Sequence, residues 1–210
     1  ISEGRHIVLT MRRVILYLLA TSLGEVLTIA GLILLLAKLP LLAVQILWIN
    51  LVTDGFLVLA LAMEVREDSL LDMPWFFNLR LIDYNFLLKM LYMASLMALG
   101  SILVFFIYGS DFDKGRTAVF MTLCLFQWFN ALNLRSEFKS FFSIPFFSNR
   151  WLIVSLVIVS ILGFASVYLP ILQKTLSTVP LSLVDWAVIL AISSTIFFGE
   201  EIRKYVQINF

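Results

Sequence analysis

Residues 41–63 read LLAVQILWINLVTDGFLVLALAM. The run is long enough to cross the roughly 30 Å of a bilayer's hydrocarbon as a helix, which takes about 20 residues. It carries one charge, Asp54, well inside it. In lipid every backbone N–H and C=O must be satisfied internally, which a single helix does and an open strand does not. We therefore read this stretch as a transmembrane helix with a carboxylate near its middle.

Five more stretches of the same kind flank it, at 14–37, 84–108, 117–134, 151–173 and 183–200. The chain has 210 residues, 61% hydrophobic and 14% charged, with mean hydropathy +1.01. A soluble domain carries about 45–50% apolar and roughly 25% charged residues, so one soluble globular domain is excluded, and disorder with it. The fold class expected is all-α: a polytopic six-helix transmembrane bundle with the lipid bilayer, plasma or internal, as its first partner. A single Cys excludes a disulfide framework, and one Cys with one His excludes a Cys/His metal cluster. A net charge of +1 offers no basic patch, so no nucleic-acid partner is expected.

The breaks agree with this division. Pro40 opens the second stretch, Gly109-Ser110-Asp111 closes the third, Pro145 follows the fourth and Pro180 precedes the sixth. With residue 1 in the cytoplasm, 11 of the 15 basic residues fall on the inner side, Arg66, Arg80, Arg135, Lys139 and Arg150 among them, and Lys38, Lys114, Arg116 and Lys174 on the outer. The positive-inside rule then places both termini in the cytoplasm. Trp75, Trp151 and Trp186 fit aromatic belts at the two boundaries, while Trp48 and Trp128 are expected between helices. Ile1 to Arg13 reads as a basic amphipathic helix already under way, so the chain is expected to be a piece of something longer.

Two of the 14 acidic residues, Glu25 and Asp54, lie inside apolar spans. A carboxylate there costs about 2.5–3.5 kcal/mol on insertion scales and marks a functional site by default. Their polar neighbours recur at helical spacing. Ser22 precedes Glu25 by three residues; Asn50, Thr53 and Asp54 share an arc of roughly 100° on the second helix; Gln127 and Asn130 share a face of the fourth. Together these residues present carboxylates, amides and hydroxyls, the oxygen donors that a hard cation such as Ca²⁺ requires. Gly24 and Gly55 adjoin the carboxylates and are expected to allow close packing or local unwinding. Asn130 and Asn133 are read first as interhelical hydrogen-bonding groups. Cys124 is read as a packing residue, and Glu200, Glu201, Arg203 and Lys204 as the solvated end of the last helix. The sequence holds no phosphate-cradling Gly loop, nucleophile elbow or zinc motif.

At these residues the sequence resembles a known family. The run from Gln45 to Gly55, QILWINLVTDG, is similar to the sixth-helix signature of P-type cation-transporting ATPases of the calcium-pump branch. Glu3-Gly4-Arg5, followed by Tyr17 and by Ser22-Leu23-Gly24-Glu25, is similar to that family's entry into its fifth helix. Asn130-Ala131-Leu132-Asn133 with Arg135-Ser136 is similar to its eighth. The resemblance runs along essentially the whole chain and implies that the six spans are helices five to ten. It also implies that Ser22, Glu25, Asn50, Thr53, Asp54 and Gln127 contribute to the ion sites. The chain departs from the family's usual Asn at Ser22 and usual Glu at Gln127. After Glu64 it carries Asp68, Asp72 and Met73-Pro74 before Trp75, where the family often has a double Pro and a basic residue in the loop that couples the membrane half to the phosphorylation domain. The heavy-metal branch, with two spans after its catalytic domains and Cys-containing membrane motifs, does not fit.

The expectation is thus the ion-translocating half of an ATP-driven pump, exporting Ca²⁺ from the cytoplasm. Protons would return in exchange, because burial disfavours a bare carboxylate once the cation leaves. No catalytic residue is expected in the chain itself. ATP and Mg²⁺ would act on phosphorylation, nucleotide and actuator domains that are not in it, and those domains, with the amino-terminal membrane helices, are its expected partners. Two rivals stand beside this: the same pump class moving Na⁺, K⁺ or Mn²⁺, and a standalone six-span scaffold, channel or non-ATP transporter.

Overall fold

The structure is a computed structural model that describes residues 2–36, 39–64, 81–136 and 139–209. The expectations for Trp75, Asp68, Asp72, Met73 and Pro74 lie outside these residues, as does Lys38.

A first helix, α1 (Ser2–Leu36), runs 35 residues without a break, about 52 Å at 1.5 Å per residue. The amphipathic start does pass directly into the first span. The second span holds α2 (Ala43–Trp48), a π-helical turn at Ile49–Asp54, and α3 (Gly55–Ala62). Next come α4 (Tyr84–Tyr108) and α5 (Phe112–Asn133), capped by Asp83 and Asp111, whose carboxylates accept from the backbone N–H groups of the first turns. Two short 3₁₀ turns lead to α6 (Arg150–Tyr168), which Asn149 caps. The chain ends in α7 (Pro170–Leu176), α8 (Leu183–Ser193) and α9 (Thr195–Asn209).

Among the described residues five segments are long and apolar enough to cross a membrane: His6–Leu36, Ala43–Ala62, Tyr84–Tyr108, Arg150–Tyr168 and Leu183–Val206. The stretch expected at 117–134 falls within α5, a 22-residue helix that is not among the five. Its surroundings explain the difference. α5 packs against α1, α3, α4, α6, α8 and α9, and its residues from Thr117 to Gln127 are all buried. It is the axis of the bundle, shielded by protein, and has little need of a lipid-facing surface.

Two expected spans are corrected. The stretch 151–173 is not one helix: Leu169 is extended (φ −81°, ψ 123°) and Pro170 begins α7. Pro has no N–H to donate and pushes the residue before it out of the α region. The last stretch passes through a turn at Ser194 and continues into α9 beyond residue 200.

The charged stretch of α9 is not simply solvated either: Glu201 and Arg203 are half-buried and the other two charges are buried. Glu200 is 0% exposed and Lys204 1%. Lys89 on α4 meets Glu200 at 2.7 Å, Arg203 chelates the same carboxylate, and Lys204 Nζ donates to the Asn133 carbonyl at 2.9 Å. The charges serve as interhelical ties between α9, α4 and α5. At the other end of the bundle Lys114 pairs with Asp185 at 2.9 Å, and Trp186 is buried against Phe164 with its indole N–H on Tyr168.

Candidate ion-binding cluster

α1 carries Tyr17, Thr21 and Glu25 at four-residue intervals, a spacing that keeps side chains on one face, and all three are buried. α1 comes close to α4 at Gly24, where an added Cβ would stand 3.0 Å from the Met97 Cβ. A side chain at Gly24 would require Met97 or the Glu25 turn to give way. Gly55 faces open space and makes no such contact.

The second element of the cluster is the π turn. A π turn interrupts the regular i→i−4 ladder and is found mostly at functional sites. It presents Asn50, Thr53 and Asp54, the last two buried. α5 contributes Gln127 and, one turn earlier, Cys124, both buried.

These side chains form two linked groups. Glu25 accepts from Asn50 Nδ2 at 3.1 Å and from Gln127 Nε2 at 2.9 Å, so its carboxylate joins three helical elements. Asp54 accepts from the Tyr17 hydroxyl at 2.8 Å, and its other oxygen lies 3.4 Å from Thr21 Oγ1, whose proton is shared with the Tyr17 carbonyl at 3.0 Å. Thr53 Oγ1 lies 3.8 Å from Cys124 Sγ. Gln127 Oε1 has no hydrogen-bond partner among the described residues.

Of the six residues singled out from the sequence, the structure gathers Glu25, Asn50, Thr53, Asp54 and Gln127. It does not bring in Ser22, which lies on an exposed face of α1. Thr21 turns inward instead, and Tyr17 and Thr21 are the members that sequence reading left out of the set. Spacing admits them without singling them out: Thr21 and Tyr17 stand four and eight residues before Glu25, about 40° and 80° around the helix, and Ser22 is about 60° off on the other side. Asn130 and Asn133 part company. Asn133 Nδ2 donates to the Ile196 carbonyl of α9 at 3.0 Å, the interhelical role expected of it. The Asn130 amide is fully buried with neither atom partnered among the described residues.

The electrostatic contrast within the bundle is the informative feature. The buried carboxylates Glu64, Asp185 and Glu200 each hold a lysine or arginine. Glu25 and Asp54 hold none: every partner they have among the described residues is a neutral donor. A charge buried without a cation is costly, and among the described residues no basic side chain offsets it here. Among the described residues no three His, Cys, Asp or Glu side chains converge. The donor set is a pair of carboxylates spread among amides and hydroxyls, a mixture suited to hard cations rather than to zinc.

Fold and cluster together define a polytopic helical membrane unit with two buried carboxylates, held by neutral donors, at its centre. The family profile described as "Cation transporting ATPase, C-terminus" matches residues 38–206, and the chain belongs to that family. It is 33% identical over 199 residues to a calcium-transporting ATPase of Bacillus subtilis (strain 168), covering 92% of this chain and 22% of the relative. It is 32% identical over 212 residues to human calcium-transporting ATPase type 2C member 1, covering 99% of this chain and 23% of that protein. Calcium-transporting ATPase 1 of Yarrowia lipolytica is 33% identical over 210 residues, with 98% and 22% covered. The chain thus spans between a fifth and a quarter of the length of these relatives. The resemblance carried by Gln45 to Gly55 holds across the chain.

Proposed function

We propose that the chain is the ion-translocating membrane part of an ATP-driven cation pump and that Ca²⁺ is its cargo. The observation that carries this is the pair of buried carboxylates, Glu25 and Asp54, solvated only by neutral donors from three helical elements. A divalent cation between them would be met by carboxylate, amide and hydroxyl oxygens, with Asn50, Thr53 and Gln127 as the neutral ligands and Gln127 Oε1 already free to accept it. Ser22 joins this set only by a change that turns its face of α1 inward. The names of the relatives support calcium as the cargo.

In this reading α5 is a sixth crossing enclosed by the other five, and both termini lie in the cytoplasm, where the basic residues concentrate. ATP and Mg²⁺ would act in the cytoplasmic domains of the longer protein, where transfer of a phosphoryl group to an aspartate needs developing charge to be neutralised. When the cation leaves, protons would take its place on the carboxylates.

The test is Asp54→Asn in the full-length pump. The substitution keeps shape and removes charge. Cation-dependent phosphorylation by ATP should be lost while the protein still reaches the membrane in normal amount; normal phosphorylation would sink the assignment. Ca²⁺, Mn²⁺, Na⁺ and K⁺ tried in turn as activators of the wild-type ATPase would identify the cargo.

A further inference from the structure

The helix that carries Asn50, Thr53 and Asp54 is tied down at both ends, on either side of its π turn. At one end Gln45 is 0% exposed. Its Nε2 donates to the Leu176 carbonyl at the end of α7 at 3.0 Å, and its Oε1 accepts from Leu42 N at 3.0 Å. At the other end Glu64, the residue two past Met63's predecessor Ala62, sits in a buried node. Arg135 reaches the Glu64 carboxylate with Nη2 at 3.1 Å and Nε at 3.3 Å, and also donates to Ser148 Oγ at 2.6 Å. Asn149 Nδ2 donates to Glu64 Oε2 at 2.8 Å and to the Ala60 carbonyl at 2.9 Å. Its Oδ1 meanwhile caps α6 through Leu152 N at 3.0 Å. Arg135 and Asn149 are each 2% exposed and Glu64 6%.

A buried ion pair is no more stabilising than apolar residues of the same volume, and its best-attested use is to fix register. Register is what a π turn puts at stake. The turn holds one residue more than the α turn it replaces. Closing it into regular α-helix would rotate one flank by about 100° and draw it along the axis by about 1.5 Å. With Gln45 held by the end of α7, and Glu64 by Arg135 just past α5 and by Asn149 at the cap of α6, neither flank is free to make that movement. Between the two ties the turn packs against α5, but its one side-chain bond to α5 among the described residues is the long Thr53–Cys124 contact, while Asn50 and Asp54 bond to Glu25 and Tyr17 of α1.

We infer that Gln45 at one end, and Glu64 with Arg135 and Asn149 at the other, are positioning residues that keep the π turn open and so hold Asn50, Thr53 and Asp54 toward α1 and α5. The inference rests on the reading that these three side chains take the cargo cation.

The experiment is a double substitution, Glu64→Met with Arg135→Met, in the full-length pump. Removing both charges leaves no unpaired ion behind, so the variant is suited to folding where either single change is not. Two quantities are measured: amide hydrogen exchange across residues 49–54 in cation-free protein, and the Ca²⁺ concentration that half-activates the ATPase. Slower exchange there, as the turn anneals, with half-activation raised by about tenfold or more, is the expected result, since an ångström of misplacement at a site costs that much. Gln45→Leu, an uncharged change at the opposite end, should move both quantities the same way and serves if the double variant does not fold. Unchanged exchange across 49–54 in either folded variant overturns the inference. Slower exchange in a protein whose wild type shows no cation activation would leave the ties standing and overturn the pump reading instead.

Discussion

Tyr17 holds Asp54 in the cation-free cluster, and the consequence can be measured. Tyr17→Phe removes the hydroxyl and leaves a buried carboxylate oxygen with one donor fewer. Interhelical hydrogen bonds in membranes average about 0.6 kcal/mol, but bonds to charged groups run to about 1.5–3 kcal/mol. The variant should melt earlier than wild type in detergent without cation, and the gap should narrow at saturating Ca²⁺, when the ion replaces the lost donor. An equal gap in both conditions would mean that the ion does not reach Asp54. Much of the cluster was legible in the sequence because charge in an apolar run is conspicuous: Glu25 and Asp54 stand out at once, and Asn50, Thr53 and Gln127 follow by helical spacing. Tyr17 and Thr21 were harder to see, since a tyrosine and a threonine in a membrane helix look like packing residues until a carboxylate is found opposite them. Ser22 illustrates the limit of spacing: it and Thr21 are similarly near the Glu25 face, and only the packing of α1 on α4 decides which of them turns inward.

Helix α4 begins at Asp83, whose carboxylate caps Phe86 N at 2.7 Å and pairs with Arg12 of α1 at 3.0 Å. The Arg12 guanidinium holds the Asp83 carboxyl below its ordinary value of 3.8. A depressed carboxyl adds stability that is present above its unfolded value and fades as pH falls through the lower folded one. Asn caps helices as well as Asp does, so Asp83→Asn isolates the charge. The melting temperature of wild type should exceed that of the variant at neutral pH, and the difference should disappear well below pH 4; a difference that persists in acid would assign the effect to capping alone. The limits of α4 were legible in the sequence, because the mainly apolar run 84–108 stops at Gly109-Ser110-Asp111. The π turn was not, because no residue between Ile49 and Asp54 demands it. The ties at Gln45 and Glu64 come from α5, α6 and α7, and tertiary contacts of that kind leave no local trace. The buried charges of α9 were misread for a related reason. Glu200 and Lys204 look like a solvated terminus, and only their partners, Lys89 and the Asn133 carbonyl, reveal an interior position.

Across the molecule the arrangement is concentric, with α5 inside and the apolar helices around it. That order was half visible from composition: the apolar spans announced a membrane bundle, while the polar content of α5 gave no hint that it is the most enclosed helix. Its position has a consequence for biosynthesis. A segment bearing Asp113, Lys114, Arg116, Gln127, Asn130 and Asn133 has little to offer lipid when it leaves the ribosome, and each charge or amide that enters hydrocarbon unaccompanied is penalised. α5 should therefore partition into the bilayer together with a neighbour, and α4, which precedes it and packs along it, is the natural escort. In a microsomal translation assay with glycosylation sites as reporters, α5 alone should be threaded largely into the lumen, and α4 with α5 should be retained as a hairpin. Efficient insertion of α5 by itself would contradict this. The helix that brings Gln127 to Glu25 is, on this view, also the step at which assembly of the bundle is most exposed to failure, so substitutions on the α4 face opposite it should be read first as defects of insertion.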